Sequence, residues 1–285
     1  AANPYQISDW YELNNIHQNL GANFTLAADL DKNSAGYSSV ASSSANRDSG
    51  FDPLGDDTTS FTGSFDGNGY TISNLTINRS STDYVGLFGS VKSGGTVTNV
   101  MLADADVTGQ NWVGSLVGNH TGNNISNVSA GGTISGRNYV GGVVGQIQNG
   151  DVSDSSASGN VTATAEFAGG LVGDLSSGNI RNSFASGAVT TDSNYVGGLV
   201  GNLSSGNISN SYASGAVTTD DDYVGGLVGN LNSVNISHSN ASGTVTGDDD
   251  VGGLVGYLTN GNITDSNASG AVTSDGDDDV GGLVG

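Results

Sequence analysis

The chain has 285 residues and a formal net charge of −22, because 28 acidic side chains face only 6 basic ones. So negative a surface repels nucleic acid and anionic lipid, which argues against both as partners. The chain has 47 glycines and no cysteine, so disulfides and thiolate metal sites are excluded. No apolar run approaches the ~18–20 residues needed to cross a bilayer, and we expect no membrane insertion.

The N-terminal region contains the one segment with a clear helical pattern. Residues 8–19 read SDWYELNNIHQN, and Trp10, Leu13 and Ile16 fall on one face of a helix. Ser8 is the expected N-cap, because a hydroxyl can accept a hydrogen bond from the first free backbone N–H groups. The sequence therefore predicts one short α-helix near the start of the chain.

The rest of the first 80 residues is predicted to complete a cap. A strand is expected at residues 23–30, followed by a polar stretch, 31–60, that is mostly loop. Residues 61–77 read as two strands around a glycine turn. A solenoid needs a cap at residues 1–80 because its first coil otherwise exposes an unpaired sheet edge.

From residue 81 onward the chain is built from repeats. The signature Gly-Gly-Leu-Val-Gly, or a close variant, returns about every 28 residues. A fixed period of this length is typical of a solenoid. Each unit holds short clusters of Val, Ile, Leu and Thr between Gly, Asn and Asp, which predicts strands and no helix. The eight copies end at Gly89, Gly118, Gly145, Gly173, Gly201, Gly229, Gly256 and Gly285.

These repeats predict an all-β fold, a right-handed parallel β-helix over residues 81–285, with the hand taken from the usual crossover preference. In such a fold equivalent residues of successive coils stack into columns. Three aliphatic columns are predicted to form the core. They are Val97, Ile125, Val152, Ile180, Ile208, Ile236 and Ile263; then Val107, Ile134, Val161, Val189, Val217, Val245 and Val272; and Leu116, Val143, Leu171, Leu199, Leu227, Leu254 and Leu283.

A polar column lies just before the first aliphatic one. Stacked amide side chains can hydrogen-bond along the axis and tolerate left-handed turn geometry. We therefore predict a structural ladder at the turn. Its members are Asn124, Asp151, Asn179, Asn207, Asn235 and Asn262.

The segment Tyr-Val-Gly-Gly-Leu-Val-Gly at residues 195–201 and 223–229 resembles the GLUG motif of large bacterial and archaeal surface proteins and adhesins. Residues 7–13 and 61–72 resemble the regions that precede this motif in such proteins. The resemblance implies a β-helical protein that is secreted or displayed at the cell surface. It implies no defined ligand and carries over no catalytic residue.

Acidic clusters fall in the same loop of three consecutive coils. If the loops stack, their carboxylates lie about 5 Å apart and repel one another. Either the loops remain solvated and screened by salt, or Ca²⁺ lies between them. Neither the calcium-roll nonapeptide nor the EF-hand loop is present. The candidate metal ligands are Asp220, Asp221, Asp222, Asp248, Asp249, Asp250, Asp277, Asp278 and Asp279.

The predicted function is an extracellular structural or adhesive rod of a secreted or cell-surface protein. The carboxylates are repetitive and the six basic residues scattered, so we expect no enzyme. Partners could be a second copy of the chain or cell-surface and carbohydrate ligands. An alternative is a polysaccharide-binding or polysaccharide-cleaving β-helix that uses exposed aromatics such as Phe184 and Tyr212.

An ice-binding solenoid is a minor alternative. It rests on a row of hydroxyl side chains, which is also what an outward strand position favours. The row is Thr108, Ser135, Thr162, Thr190, Thr218, Thr246 and Thr273.

The two ends of the sequence suggest further expectations. The start, Ala1-Ala2-Asn3-Pro4, fits a processed N-terminus. The chain ends within its last motif at Gly285, which fits a segment of a longer rod or a subunit that stacks end to end.

Overall fold

The structure is a computed structural model, and it describes residues 3–92, 94–276 and 279–285. The described chain is a parallel β-solenoid whose successive coils pair strand on strand, as the repeats predict. Three sheets run along its length, one for each side of the coil. The predicted fold class is confirmed.

The strands are short, and each sheet consists of equivalent strands from successive coils. The first sheet contains Tyr5–Ile7, Asn23–Leu26, Ser64–Asp66, Phe88–Val91, Thr96–Thr98, Val117–Thr121, Ile125–Ser126, Val144–Asn149, Val152–Ser153, Val172–Leu175, Gly178–Arg181, Val200–Leu203, Gly206–Ser209, Val228–Ser237 and Val255–Thr264. The second contains Thr71–Ser73, Thr76–Asn78, Met101–Thr108, Ser129–Gly136, Ser156–Ala157, Asn160–Ala163, Phe184–Ala185, Val189–Thr191, Tyr212–Ala213, Val217–Thr218, Asn240–Ala241, Val245–Gly247, Asn267–Ala268 and Val272–Ser274. The third contains Asn111–Gly114, Asn138–Gly141, Ala168–Gly169, Val196–Gly197, Val224–Gly225, Val251–Gly252 and Val280–Gly281.

The three predicted aliphatic columns form the core. In the first column Ile180 pairs with Ile208, and in the second Val189 pairs with Val217. The third column lies at a corner, where the backbone N–H of Leu199 donates to the carbonyl of Leu227. Their members are buried except in the last coil. Each such side chain contributes about 1.5–3 kcal/mol by leaving water, and this repeated gain holds the coils together.

The glycines of the repeated signature are required by close approach of backbone to backbone. A Cβ atom on Gly197 would lie 2.0 Å from the carbonyl oxygen of Val200 within the same motif. A Cβ on Gly198 would lie 2.2 Å from the carbonyl oxygen of Gly226 in the next coil. Neither distance can hold a carbon atom. The motif therefore forms a tight corner of the coil. Only glycine at these positions lets the next coil stack closely on that corner.

The N-terminal helix begins later than predicted. It spans Trp10–Asn14 and continues as a 3₁₀ helix, Asn15–Gln18. Asp9, not Ser8, is the N-cap, because its extended backbone lets the carboxylate accept from the N–H of Glu12 at 2.8 Å. Ser8 instead donates its backbone N–H and its hydroxyl to the Glu12 carboxylate, both at 2.7 Å. The predicted N-cap was wrong by one residue.

The polar stretch 31–60 is more ordered than predicted. It contains two one-turn helical segments, Tyr37–Val40 and Ala45–Asp48, the second interrupted by left-handed residues. Phe51 and Leu54 are fully buried. These apolar residues are isolated in sequence, so no periodic pattern reveals them. None of the helices in the described ranges is long and apolar enough to cross a membrane.

The cap strands belong to the same stack as the repeats. Asn23–Leu26 pairs with Ser64–Asp66, which pairs with Thr96–Thr98 of the first repeat region. The predicted two strands of residues 61–77 are three, because the second divides into Thr71–Ser73 and Thr76–Asn78. The division into a cap at 1–80 and a β-helix at 81–285 stays a prediction.

Candidate functional sites

The acidic loops of successive coils stack on one another. The N–H of Asp248 donates to the carbonyl of Asp221 at 3.0 Å, one coil away. The N–H of Asp249 donates to the carboxylate of Asp222 at 3.3 Å, and the N–H of Asp222 donates to the amide oxygen of Asn194 at 2.9 Å. Carboxylates from successive coils therefore lie near one another. Asp277 and Asp278 lie outside the described residues.

The pKa of Asp248 is raised above its usual value. Burial is the largest cause, and the negative charges of Asp249, Asp222, Asp221 and Asp275 add to it. Over residues 3–92, 94–276 and 279–285, no group of three or more Asp, Glu or His side chains is arranged to hold a metal ion. Calcium binding at the aspartates of these loops stays a prediction.

Replacing Asp248 with asparagine should stabilise the protein at neutral pH and low salt. A pKa raised by folding means that the charged carboxylate is disfavoured in the fold. Its penalty is present at pH above the folded pKa and vanishes as the pH falls towards the unfolded value. The melting temperature of Asp248→Asn should therefore exceed that of wild type at pH 7, with the gap closing in acid and in high salt. Asp104→Asn, at an exposed site, is the control and should melt at the same temperature as wild type at every pH. If the difference between Asp248→Asn and wild type does not change with pH and salt, repulsion of the Asp248 charge is not its cause.

The predicted amide ladder is present at its turn. Asn235 donates through Nδ2 to the amide oxygen of Asn207 at 3.1 Å, and Asn207 donates to that of Asn179 at 3.0 Å. Asn179 donates in turn to the carboxylate of Asp151 at 2.9 Å. Left-handed backbone, expected in this ladder, occurs instead in a neighbouring row that includes Asn182, with φ 50°. Backbone N–H groups add to the ladder, since that of Asn179 donates to the Asp151 carboxylate at 2.9 Å and that of Asn262 donates to the amide oxygen of Asn235 at 3.2 Å.

Asn207→Ala should lower the free energy of unfolding by about 1–2 kcal/mol, because it removes two hydrogen bonds of the ladder at once. Asn240→Ala is the matched control, since Asn240 is exposed and stacks in a different row. Urea denaturation measures both. Equal stability of the two variants would show that the ladder contributes nothing.

The structure reveals a ladder of aromatic rings that the sequence analysis missed. The rings stack nearly parallel, with centroids 4.6–5.5 Å apart and tilts of 4–17°. Each stands just before a Val-Gly or Ala-Gly pair of the repeat, in left-handed backbone with φ between 53° and 68°. An aromatic at this position in consecutive repeats was the available signal. The aromatic ladder consists of Tyr84, Trp112, Tyr139, Phe167, Tyr195 and Tyr223.

Stacking limits what the aromatic ladder can bind. Inside it each ring has both faces covered by its neighbours, so only the ring edges are accessible. A polar row runs beside it, in which the carboxylate of Asp174 accepts from Gln146 at 3.0 Å and from Asn202 at 2.6 Å. The pKa of Tyr139 is raised, first by burial and then by the charges of Asp174 and Glu166. Only the end rings of the ladder can offer a face.

The aromatics that the sequence singled out lie elsewhere. Phe184 and Tyr212 stack on the second sheet with centroids 4.9 Å apart and planes 1° apart. Their neighbours in the same row are Ser156 and Asn240, so that row brings no carboxylate beside the rings. The hydroxyl row is also in register, with Thr162 beside Thr190. The parallel row next to it begins with Asp106, Thr133 and Asn160, which is not a second threonine row.

Comparison with known proteins identifies the repeat. A model of the GLUG motif matches residues 136–162, 192–218 and 249–273. The chain is 44% identical over 136 residues to "Halomucin" of Haloquadratum walsbyi, a match that covers 46% of this chain and 1% of that protein. It is 38% identical over 132 residues to a "Putative Gly-rich membrane protein" of Evansella cellulosilytica, covering 45% of this chain and 14% of the other.

A solved structure shares the architecture. The crystal structure of a "putative immunoglobulin A1 protease" from Bacteroides ovatus superposes with a TM-score of 0.65 over 96% of this chain and 84% of the other. The two sequences are 20% identical, so the likeness concerns the fold alone. The matches to the two sequence relatives span only a small part of their lengths.

Proposed function

Since three segments of this chain match the GLUG motif and its fold is a parallel β-helix, we propose that it serves as an extracellular structural rod of a secreted or cell-surface protein. One observation carries the proposal: aliphatic columns, amide ladder and aromatic ladder repeat coil after coil in the same register. Such repetition supplies length and stiffness, at about 4.8 Å per coil, without requiring one special site.

Charge and the relatives support a location outside the cell. A net charge of −22 keeps a long surface soluble and separates rods from one another. The name of one relative describes a membrane protein, which favours the cell surface. Catalysis forms no part of the proposal, because the carboxylates repeat along the solenoid and a fold likeness at 20% identity carries no activity.

The rod is tested by removing one coil. Deletion of residues 202–229 joins Gly201 to Asn230, which restores the sequence step Gly-Asn found at 201–202. The shortened protein should fold cooperatively and be about 5 Å shorter with an unchanged cross-section. Small-angle X-ray scattering measures both quantities. A deletion that unfolds the protein, or a compact wild-type particle, would contradict the rod.

Adhesion and self-association belong to the same proposal. An uncovered sheet edge can pair with a second copy of the chain or with a partner at the cell surface. Sedimentation velocity over a hundredfold range of concentration should show species larger than a monomer. A monomer at every concentration would contradict self-association without contradicting the proposed rod.

Calcium binding by the acidic loops is the last part of the proposal. Stacking brings Asp221, Asp222, Asp248 and Asp249 together, and a divalent cation would relieve their repulsion. Calcium should raise the melting temperature by several degrees more than sodium chloride at equal ionic strength. The double variant Asp221→Asn with Asp248→Asn should lose this difference. Identical wild-type melting curves in calcium, sodium and chelator would show that the acidic loops are solvated surface and bind no calcium.

A further inference from the structure

We propose that a cleft between the predicted cap and the first predicted repeat coil binds one pyranose unit of an uncharged or amino-bearing polysaccharide, stacked on the ring of Tyr84. The cleft measures about 300 Å³, enough for a single sugar ring. Residues of the cap and of the loop before the first repeat line it together. The inference does not rest on the rod function, because a rod needs no ligand at this place.

Tyr84 is the end ring of the aromatic ladder. Trp112 covers one of its faces, with centroids 4.6 Å and planes 4° apart. The opposite side belongs to the preceding layer, where Leu54 pairs with Phe88. Pro53, beside Leu54 in sequence, lines the cleft, whereas Trp112 does not. The lining assigns the cleft to the side of Tyr84 away from Trp112, where an aromatic face can pack against the C–H face of a sugar.

Hydrogen-bonding groups surround this face. Arg79 is fixed by an ion pair from Nη2 to the Asp52 carboxylate at 2.9 Å and by donation from Nε to the carbonyl of Phe51 at 3.2 Å. Asp83 accepts from Nδ2 of Asn111 through Oδ1 at 2.7 Å, which leaves its other oxygen to accept from a ligand. Guanidinium donors and carboxylate acceptors together match hydroxyl groups, which both donate and accept.

The charge in the cleft narrows the ligand class. Asp52, Asp56 and Asp83 line it against the single guanidinium of Arg79. An acidic sugar would be repelled, whereas an ammonium group would be attracted. The pKa of Tyr84 is raised, first by burial and then by the charges of Asp57 and Asp83, in keeping with the excess of negative charge at the cleft.

Isothermal titration calorimetry tests the inference with four tetramers: cellotetraose, tetra-N-acetylchitotetraose, chitosan tetramer and tetragalacturonate. At matched ionic strength we expect binding of at least one of the first three and none of tetragalacturonate. Tyr84→Ala should weaken binding at least tenfold, and Tyr84→Phe should retain it. Tyr212→Ala, which removes an exposed ring on another sheet, should leave binding unchanged.

Several outcomes would overturn the inference. They are no binding of any tetramer by wild type, binding of tetragalacturonate, or wild-type affinity in Tyr84→Ala. If Tyr84→Ala does not fold, Asp83→Asn replaces it, since asparagine can keep the contact with Asn111. That variant should weaken binding at least threefold, and unchanged affinity would contradict the site. Scattering of the same samples reports on the rod separately.

Discussion

Replacing Gly198 with alanine should lower the free energy of unfolding by about 3 kcal/mol, at the upper end of overpacking effects. The added methyl group would lie 2.2 Å from the carbonyl oxygen of Gly226 and 2.9 Å from the Cβ of Ala213. Both neighbours belong to the next coil, and one is backbone, so relief requires the coils to separate. Because the whole fold is stable by only about 5–15 kcal/mol, one such change is a large loss.

The control is the same glycine of the last motif. In this chain a Cβ on Gly282 would meet nothing within 4 Å. Gly282→Ala should therefore leave the urea midpoint nearly unchanged, whereas Gly198→Ala should lower it strongly. Equal midpoints would show that close stacking of backbone at the GLUG corner is not what the glycine provides.

Trp10→Ala should destabilise the cap by about 3–5 kcal/mol, the cost of truncating a buried tryptophan. Trp10 is fully buried, and its ring centroid lies 6.4 Å from that of Phe51 and 5.9 Å from that of Tyr37. Its Nε1 also donates to the carbonyl of Asp31 at 2.9 Å. The side chain thus joins the first helix to the segment 31–60, and its loss removes both packing and a long-range hydrogen bond.

Tyr11→Ala provides the matched control on the same helix. Tyr11 is half exposed, and its truncation should change stability by no more than about 0.5 kcal/mol. Hydrogen exchange of the cap amides distinguishes the two variants, because Trp10→Ala should accelerate exchange there before the repeats respond. Uniform acceleration along the whole chain would mean that cap and repeats unfold as one unit.

Because the sequence repeats, most of the fold could be predicted from it. A residue such as Ile208 meets its equivalents Ile180 and Ile236 because every coil has the same length, so alignment of the repeats is also a contact map. The hydrogen bond from Asn207 to Asn179 follows for the same reason. The constant period and the alternation of apolar and polar residues were therefore enough to predict these contacts.

The aromatic ladder shows where this reasoning failed. Tyr195 and Tyr223 were visible beside the motif, but their left-handed backbone, with φ of 64° and 61°, directs the rings along the axis. A non-glycine residue seldom adopts that conformation, so the sequence gives little reason to expect it. The same holds for Phe51, whose burial depends on contacts with the distant Trp10.

By itself the sequence determined the solenoid, its period, its core columns and its amide ladder, because each arises from a step repeated at constant length. Only the tertiary structure decided the cap, which has no repeat to copy, and the cleft at its junction. There Asp52 meets Arg79 and Tyr84 closes the aromatic ladder, through contacts between segments that are unrelated in sequence. Such contacts depend on how two different units pack, and no periodicity encodes that.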